Sequence, residues 1–350
     1  MKPALRILFL LTCISSWSCQ SDSSSKGKKS NPKSPNSKLS AQDKARIEEY
    51  QAEVSLGRDM ASRLLQYYGT YDNPEVTAYV NQVGNYVAQY SADPNRKYMF
   101  AILNTEMVNA FACPGGYILV TLGTLRKAKS EAELAMILGH EAAHVAKQHM
   151  FKSIITKGKQ NTRRNKKAES NTNVDHIMNI RVRPQGEESE LLGTLTKYLA
   201  QSAGTGLSVL QAAKYGVSFL LEEGLDAELE YEADAEGVQY AIKAGYQPNA
   251  LRNFLKRLQK SKERNGSTLE VLSKTHPSIK ERRKKIGQLL VAMKAQKIVG
   301  ARQKKRFMQI KNSLPKPRAL PKREGHTSSQ AGSKVRKKAP RLDNSLNTDK

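Results

Sequence analysis

The feature that most constrains this chain is a pair of histidines spaced four residues apart. In GHEAAHVAKQH, residues 139–149, Glu141 follows His140 directly and His144 comes one helical turn later. Residues i and i+4 of a helix face the same way, so both imidazoles can bind one zinc ion while Glu141 acts as a general base. The alternative is two surface histidines on an amphipathic helix. The apolar run LAMIL before Gly139 favours a buried helix with a metal site instead.

Two histidines leave a zinc site incomplete, so a third ligand must come from elsewhere in the chain. His149 does not have the metzincin spacing and would face away on a continuous helix. The positions where metzincins and thermolysin-like enzymes carry their remaining motif residues are occupied here by Lys147, Met150 and Arg164.

The acidic segment ELEYEADAEG, residues 228–237, is the remaining candidate. Glu230 and Asp234 lie four apart on one helix face, so one can bind the metal while the other orients a ligand histidine. A solvated acidic helix would explain the charge, but not Ala233 and Gly237, whose small size permits close packing against a neighbouring helix. We therefore expect this helix to pack close against a neighbouring helix.

Four motifs together carry a family resemblance over roughly residues 46–290. They are NAF and PGG in VNAFACPGGYILVTLGTL (108–125), the HExxH motif, the ExxxD motif followed by Ala and Gly, and Thr-His-Pro in KTHPSIKERRKKI (274–286). Their order resembles that of the membrane-associated zinc metallopeptidases of the HtpX/BepA and CAAX-prenyl-protease type.

This resemblance implies a gluzincin-like domain that is mainly α with a small β-sheet, whose edge strand lies above the active site. It implies one Zn²⁺ per chain, Glu141 as general base and Asp234 as the acid that orients a ligand. The implied zinc ligands are His140, His144 and Glu230. Extended substrates would pair with the edge strand through substrate-binding residues Asn109, Ala110, Phe111, Gly115 and Gly116.

His276 admits several interpretations. It can line the site, stabilise the tetrahedral intermediate, or occupy the open zinc position as a gate. It can also be simply a residue at a helix start, because Pro277 follows it. The resemblance favours a place near the site, and we include His276 among the candidate catalytic residues.

The N-terminus has the pattern of an export signal over residues 1–18, in which Lys2 and Arg6 flank the apolar run ILFLLTCI. Cys19 is the candidate lipid-attachment site of a bacterial lipoprotein, and Gln20 favours the periplasmic side of the outer membrane. The alternative is a soluble periplasmic protein. Residues 19–45 follow as a polar, disordered linker.

The net charge of +26 is concentrated in the N-terminal linker, in a basic insertion at 157–186 and in the tail 299–350. The insertion is predicted to be mobile and the tail disordered, and the metallopeptidase domain at 46–298 is nearly neutral apart from the insertion. Such basic appendages on an exported protein fit anionic membrane lipids, and we expect no nucleic-acid partner.

These features together predict a zinc endopeptidase that cleaves unfolded or misfolded envelope proteins by a promoted-water mechanism. The alternative is a chaperone or assembly factor for outer-membrane proteins that uses the same groove with little or no cleavage. Unfolded polypeptides are the expected partners in either case, and the sequence predicts no oligomeric state.

Overall fold

The computed structural model describes residues 39–164, 172–180, 195–201, 208–265 and 275–316. The chain divides into two compact units, residues 1–44 and residues 45–350. Only residues 39–44 of the first unit are described, and they include the beginning of a long helix. The second unit carries the fold and all the candidate site residues except Cys19, which lies outside the described residues.

Helices dominate the described part of the chain. They are α1 (Ala41–Tyr68), α2 (Pro74–Ala88), α3 (Leu122–Lys127), α4 (Glu131–Ala146), α5 (His149–Arg164), α6 (Thr172–Met178), α7 (Val209–Ser218), α8 (Ala227–Lys243), α9 (Ala250–Asn265), α10 (Ile279–Ala292) and α11 (Lys304–Asn312). A short helical segment also covers residues 195–201, and Phe219–Glu223 form one turn of π-helix. None of the described helices is both long and apolar enough to cross a membrane.

Three short strands form one mixed sheet in the order β1-β3-β2, where β1 is Met99–Leu103, β2 is Ala110–Cys113 and β3 is Tyr117–Thr121. β1 pairs with β3 in parallel, and β2 pairs with β3 in antiparallel fashion. The turn Pro114–Gly116 joins β2 to β3. The prediction of a mainly α fold with a small sheet is therefore confirmed, and β2 lies at an edge of that sheet.

The sheet is buried on both faces, because each face contacts its own hydrophobic cluster. Alternate residues of β2 and β3 face opposite ways. Ala112 and Ile118 join the cluster that contains α2, α4, α8, α9 and α10. Phe111 and Leu119 join the cluster that contains α1, α5, α6 and α7. The two clusters hold β2 between α4 and the helices of the other layer.

Helix starts follow the polar residues expected to cap them. Asn73 accepts a hydrogen bond from the backbone N–H of Val76 and precedes Pro74, the first residue of α2. Ser130 accepts a bond from the N–H of Glu133 at the start of α4. The carboxylate of Glu133 accepts from the N–H of Lys129, one residue before the cap. These bonds fix where the metal-site helix begins.

The backbones of α4 and α8 touch at two glycines. A Cβ on Gly139 would lie 2.8 Å from the carbonyl oxygen of Gly237, and a Cβ on Gly237 would lie 2.5 Å from the nitrogen of His140. No side chain fits at either place. The expectation that Gly237 allows close packing against a neighbouring helix is confirmed, and that neighbour is α4.

Three stretches differ from the sequence-based expectations. The helix that carries His140 and His144 does not continue through His149, because Gln148 has φ +58° and α5 starts anew at His149. Part of the insertion predicted to be mobile is helical, with Val174 and Ile177 of α6 buried. Residues 304–312, assigned to a disordered tail by composition, form α11, whose Phe307 is buried in the core. The outer domain boundaries stay a prediction.

Candidate metal centre

Four side chains from three parts of the chain converge at one buried place. His140 and His144 come from α4, Glu230 comes from α8, and His276 comes from the segment before α10. The Nε2 atoms of the two α4 histidines are 3.2 Å apart. Glu230 Oε1 lies 3.4 Å from His144 Nε2, and Glu230 Oε2 lies 3.6 Å from His140 Nε2 and 2.5 Å from His276 Nδ1.

The donor set suits a divalent cation. His140, Glu230 and His276 offer atoms that all lie within 4.8 Å of one another, and His144 Nε2 is the fourth donor next to them. Burial lowers the pKa of His144 well below its usual value, so its imidazole is neutral and keeps a lone pair for a metal. Imidazole nitrogens with one carboxylate are the ligands that zinc prefers. The predicted ligands are therefore brought together, with His276 as a further donor.

Asp234 lies behind His140 and is paired with an arginine. Its Oδ1 is 3.1 Å from His140 Nδ1. Arg282 donates from Nε and Nη2 to the two carboxylate oxygens at 2.8 and 2.7 Å. Although burial alone would raise the pKa of Asp234, the Arg282 guanidinium holds it well below its usual value. Asp234 thus stays ionised beside a candidate zinc ligand.

Sequence reasoning missed Arg282. It stands in the basic run KERRKK at the start of α10, and nothing in that run distinguishes it from the residues around it. In the structure it is 4% exposed, while most of the run stays at the surface. Ser278 caps α10, which places Arg282 in the first turn of that helix. In the structure this residue lies on the face that meets α8.

Glu141 lies where two pockets meet. Both pockets are lined by Ala110, Glu141 and His276. One pocket continues along apolar residues of the α5 and π-helix side, namely Phe111, Met150, Phe219, Leu220 and Leu225. The other continues along Val108, Ile137, Leu251, Phe254 and Leu255. Burial raises the pKa of Glu141 above its usual value, which suits a group that takes up and releases a proton.

The candidate substrate-binding residues fall into two groups. Asn109, Ala110 and Phe111 line one or both pockets, and Asn109 Nδ2 has no hydrogen-bond partner among the described residues. Gly115 and Gly116 line neither pocket. They have φ of +73° and +106°, and a Cβ would lie 2.5 Å from Val54 Cα or 2.1 Å from the carbonyl oxygen of Lys97. Close backbone approach accounts for both glycines.

A fourth imidazole, His149, lies beside the site, where a continuous helix would not have placed it. The break at Gln148 turns the chain so that His149 Nδ1 is 3.1 Å from His144 Nδ1. Burial lowers its pKa. The sequence-based expectation that His149 faces away is wrong because it assumed an unbroken helix.

Comparison with known proteins agrees with the site. Residues 74–289, more than half of the chain, match the model described as Peptidase family M48. Beta-barrel assembly-enhancing proteases of Escherichia coli O157:H7 and Yersinia pestis are 26% identical over 206 residues and 27% identical over 210 residues. Each match covers 59% of this chain but only 37% of the relative. The mitochondrial metalloendopeptidase OMA1 of Schizosaccharomyces pombe is 25% identical over 241 residues, 68% of this chain and 61% of the relative. The chain belongs to peptidase family M48.

Proposed function

We propose that this chain is a zinc-dependent endopeptidase. The observation that carries the proposal is the position of Glu141. It is a buried carboxyl where two pockets meet, one residue from a cluster of imidazoles and a carboxylate. A general base next to a metal site and a substrate cleft is the arrangement that amide hydrolysis needs.

His140, His144 and Glu230 hold the zinc in this proposal. When bound, the ion supplies a Lewis acid that polarises the scissile carbonyl. Asp234, held ionised by Arg282, keeps the ring of His140 in orientation. His276 contacts Glu230 and lines both pockets, so it is assigned to the substrate side of the site.

Glu141 takes the proton of the attacking water and passes it to the leaving amine. Its raised pKa supports this role, because a carboxyl poised nearer to neutrality both accepts and returns a proton. Asn109 lines the second pocket, and its buried Nδ2, which has no partner among the described residues, would donate a hydrogen bond to a substrate carbonyl once a peptide opens that pocket. A buried donor without a partner costs about 1–3 kcal/mol, and a bound peptide would remove that cost.

The proposed substrates are unfolded polypeptides that bind in extended form beside β2. No strand pairs with the outer edge of β2 in the described part of the chain. Apolar pocket walls on both sides of Glu141 favour chains with exposed apolar side chains. All four residues of β2 are buried, so neighbouring residues have to move before a peptide can pair there.

The proposed setting is the bacterial envelope. The N-terminal pattern supports export, with Cys19 lipidated on the periplasmic side of the outer membrane or, alternatively, a soluble periplasmic form. The substrates would then be unfolded or misfolded envelope proteins, in keeping with relatives named beta-barrel assembly-enhancing protease. Basic segments would add attraction to anionic lipid, and nucleic acid is not a proposed partner.

Glu141→Gln tests the proposal. The variant should bind one zinc per chain, as the parent does, while its cleavage of a permanently unfolded, dye-labelled polypeptide falls by about 10²–10⁴-fold. The matched control is Glu228→Gln, since the Glu228 side chain is 83% exposed and lines neither pocket. Undiminished cleavage by Glu141→Gln would refute the assignment. Suppressed aggregation without cleavage, in parent and variant alike, would favour the chaperone function.

A further inference from the structure

His149 lies directly behind His144, on the side away from the metal cluster. Its ring is 4% exposed, and the two ring centroids are 5.1 Å apart at 80°. The Nδ1 atoms are 3.1 Å apart. His149 lines neither of the two pockets. A buried imidazole that does not face the substrate needs another explanation.

The backbone before His149 adopts an unusual conformation that brings this ring into place. Five residues beyond His144 on a regular helix, a side chain would point about 140° away, at roughly 100° per residue. Gln148 has φ +58°, a left-handed conformation that is unfavourable for a residue other than glycine. Its side chain is held by a 2.9 Å bond from Nε2 to Glu53 Oε2, across 95 residues of sequence. Surrounding contacts therefore maintain the turn.

The positions of the ring nitrogens of His144 and His149 allow one placement of their hydrogens. His144 points Nε2 at the donor cluster, so its neutral ring carries the hydrogen on Nδ1. That Nδ1–H faces His149 Nδ1, which must accept and therefore carries its own hydrogen on Nε2. His149 Nε2 lies 3.3 Å from Glu232 Oε2, a carboxylate that can accept it. The bonds then run in one direction from His144 through His149 to Glu232.

The far end of this chain is anchored by a cation. Lys147 Nζ lies 3.1 Å from Glu232 Oε1 and 3.1 Å from Glu236 Oε1. Lys147 is the cap residue that directly follows α4, and both glutamates lie on α8. The ion pairs thus fix Glu232 relative to the turn that carries His149.

We propose that His149 is a positioning residue for the metal site: it accepts the Nδ1–H of His144, fixes that ring's tautomer and orientation, and is itself held by Glu232. Metal-binding histidines usually donate their second N–H to a carboxylate, a carbonyl or water. Here a second imidazole takes that place and passes the bond on to a carboxylate. The inference rests on the proposed metal site.

Two isosteric substitutions separate hydrogen bonding from packing. Asn Oδ1 occupies the position of His Nδ1, so His149→Asn keeps an acceptor for His144, whereas His149→Leu has the same shape without one. Zinc Kd is measured on the full chain by competition with a chromogenic chelator. His149→Leu should weaken zinc binding about 10–100-fold, and His149→Asn should restore it to within a few-fold of the parent. His176→Leu, at an exposed histidine of α6, is the control and should leave the Kd unchanged.

Three results would overturn the inference. One is parent-like zinc affinity in His149→Leu, and another is equal loss in the Leu and Asn variants, which would mark a packing role. The third comes from side-chain ¹⁵N NMR of the zinc-loaded parent, which needs no variant to fold. It should show a hydrogen on His144 Nδ1 and none on His149 Nδ1, and the reverse would exclude the bond. A parent that binds no zinc would overturn the proposed metal site as well.

Discussion

Replacing Gly237 by alanine should separate α4 from α8 at the point where their backbones touch. The new Cβ would lie 2.5 Å from His140 N and 2.7 Å from both Gly139 C and His140 Cα. These are backbone atoms of a buried helix, so no rotamer change can relieve the clash. Ordinary contact begins at 3.4 Å, and the helices must therefore part by about 0.9 Å locally.

The expected cost follows from two opposing effects. Overpacking of this kind costs about 1–3 kcal/mol, while alanine gains about 0.8–1 kcal/mol over glycine in helix propensity. The net loss should be about 0–2 kcal/mol, and Tm should fall by about 2–4 °C for each kcal/mol lost. Metal binding and catalysis should suffer more, because Glu230 and Asp234 move with α8 away from His140. Misplacing reacting groups by about 1 Å can cost 10²-fold in rate.

Gly287→Ala is the matched control. Gly287 lies in α10, and the atom nearest to a Cβ there is Arg252 Nε at 3.5 Å, so alanine fits and should stabilise slightly. Thermal unfolding followed by circular dichroism, zinc Kd and peptidase rate are compared across parent and both variants. If Gly237→Ala is as stable as Gly287→Ala and binds zinc like the parent, the glycine contact does not position the ligands and the reasoning fails.

Three other expectations concern charge and metal. Arg282→Met leaves Asp234 buried without its cation and should lower the free energy of unfolding in urea by about 3–5 kcal/mol. Adding Asp234→Asn should recover part of this loss. If the losses of the two single variants simply add in the double variant, the two residues are not coupled and the reasoning is wrong. Burial alone would raise the pKa of Glu131, but bonds from Arg306, Tyr79 and Tyr246 lower it. Its stabilisation is therefore present above the unfolded-state pKa of 4.5 and is lost as pH falls through the lower folded value. On acidification below about pH 4.5, the Tm of the parent should fall more than that of Glu131→Gln. Parallel Tm-against-pH curves for the two proteins would contradict this role of Glu131. Chelation should lower the Tm of the zinc-loaded parent. The free energy of unfolding should fall by about 4 kcal/mol if free zinc was 1,000-fold above Kd, and Glu230→Ala should lose far less.

Local periodicity explains how much of the site was predictable. His140 with His144 and Glu230 with Asp234 are i, i+4 pairs, and any regular helix presents each pair on one face. Both pairs lie inside regular helices, so counting residues was sufficient there. The close packing at Gly237 was predictable for a similar reason, because a glycine near the ligand face of a buried helix indicates a close neighbouring backbone. The role of Arg282 was not predictable, since its partner Asp234 lies 48 residues away in sequence.

Composition misled where a few apolar residues stand among many basic ones. The segment Lys304–Asn312 is as basic as a disordered tail, yet its Phe307 packs into the core. Arg306 is bound by Glu131, a buried carboxylate at the start of α4 that also accepts from Tyr79 and Tyr246. Mean charge over a window cannot reveal that one phenylalanine packs into the core or that one arginine has a specific partner 175 residues earlier.

The break between α4 and α5 shows why spacing alone fails at an irregular residue. Lys147, Gln148 and His149 follow a helix that is buried almost throughout, and three consecutive polar side chains cannot all face one apolar core. That succession was a signal that the helix ends or turns there. It could not reveal the direction of the turn, which depends on the bond from Gln148 to Glu53 of α1. A ligand search that counts residues assumes regular geometry, so it excluded His149, the imidazole that the turn brings against His144.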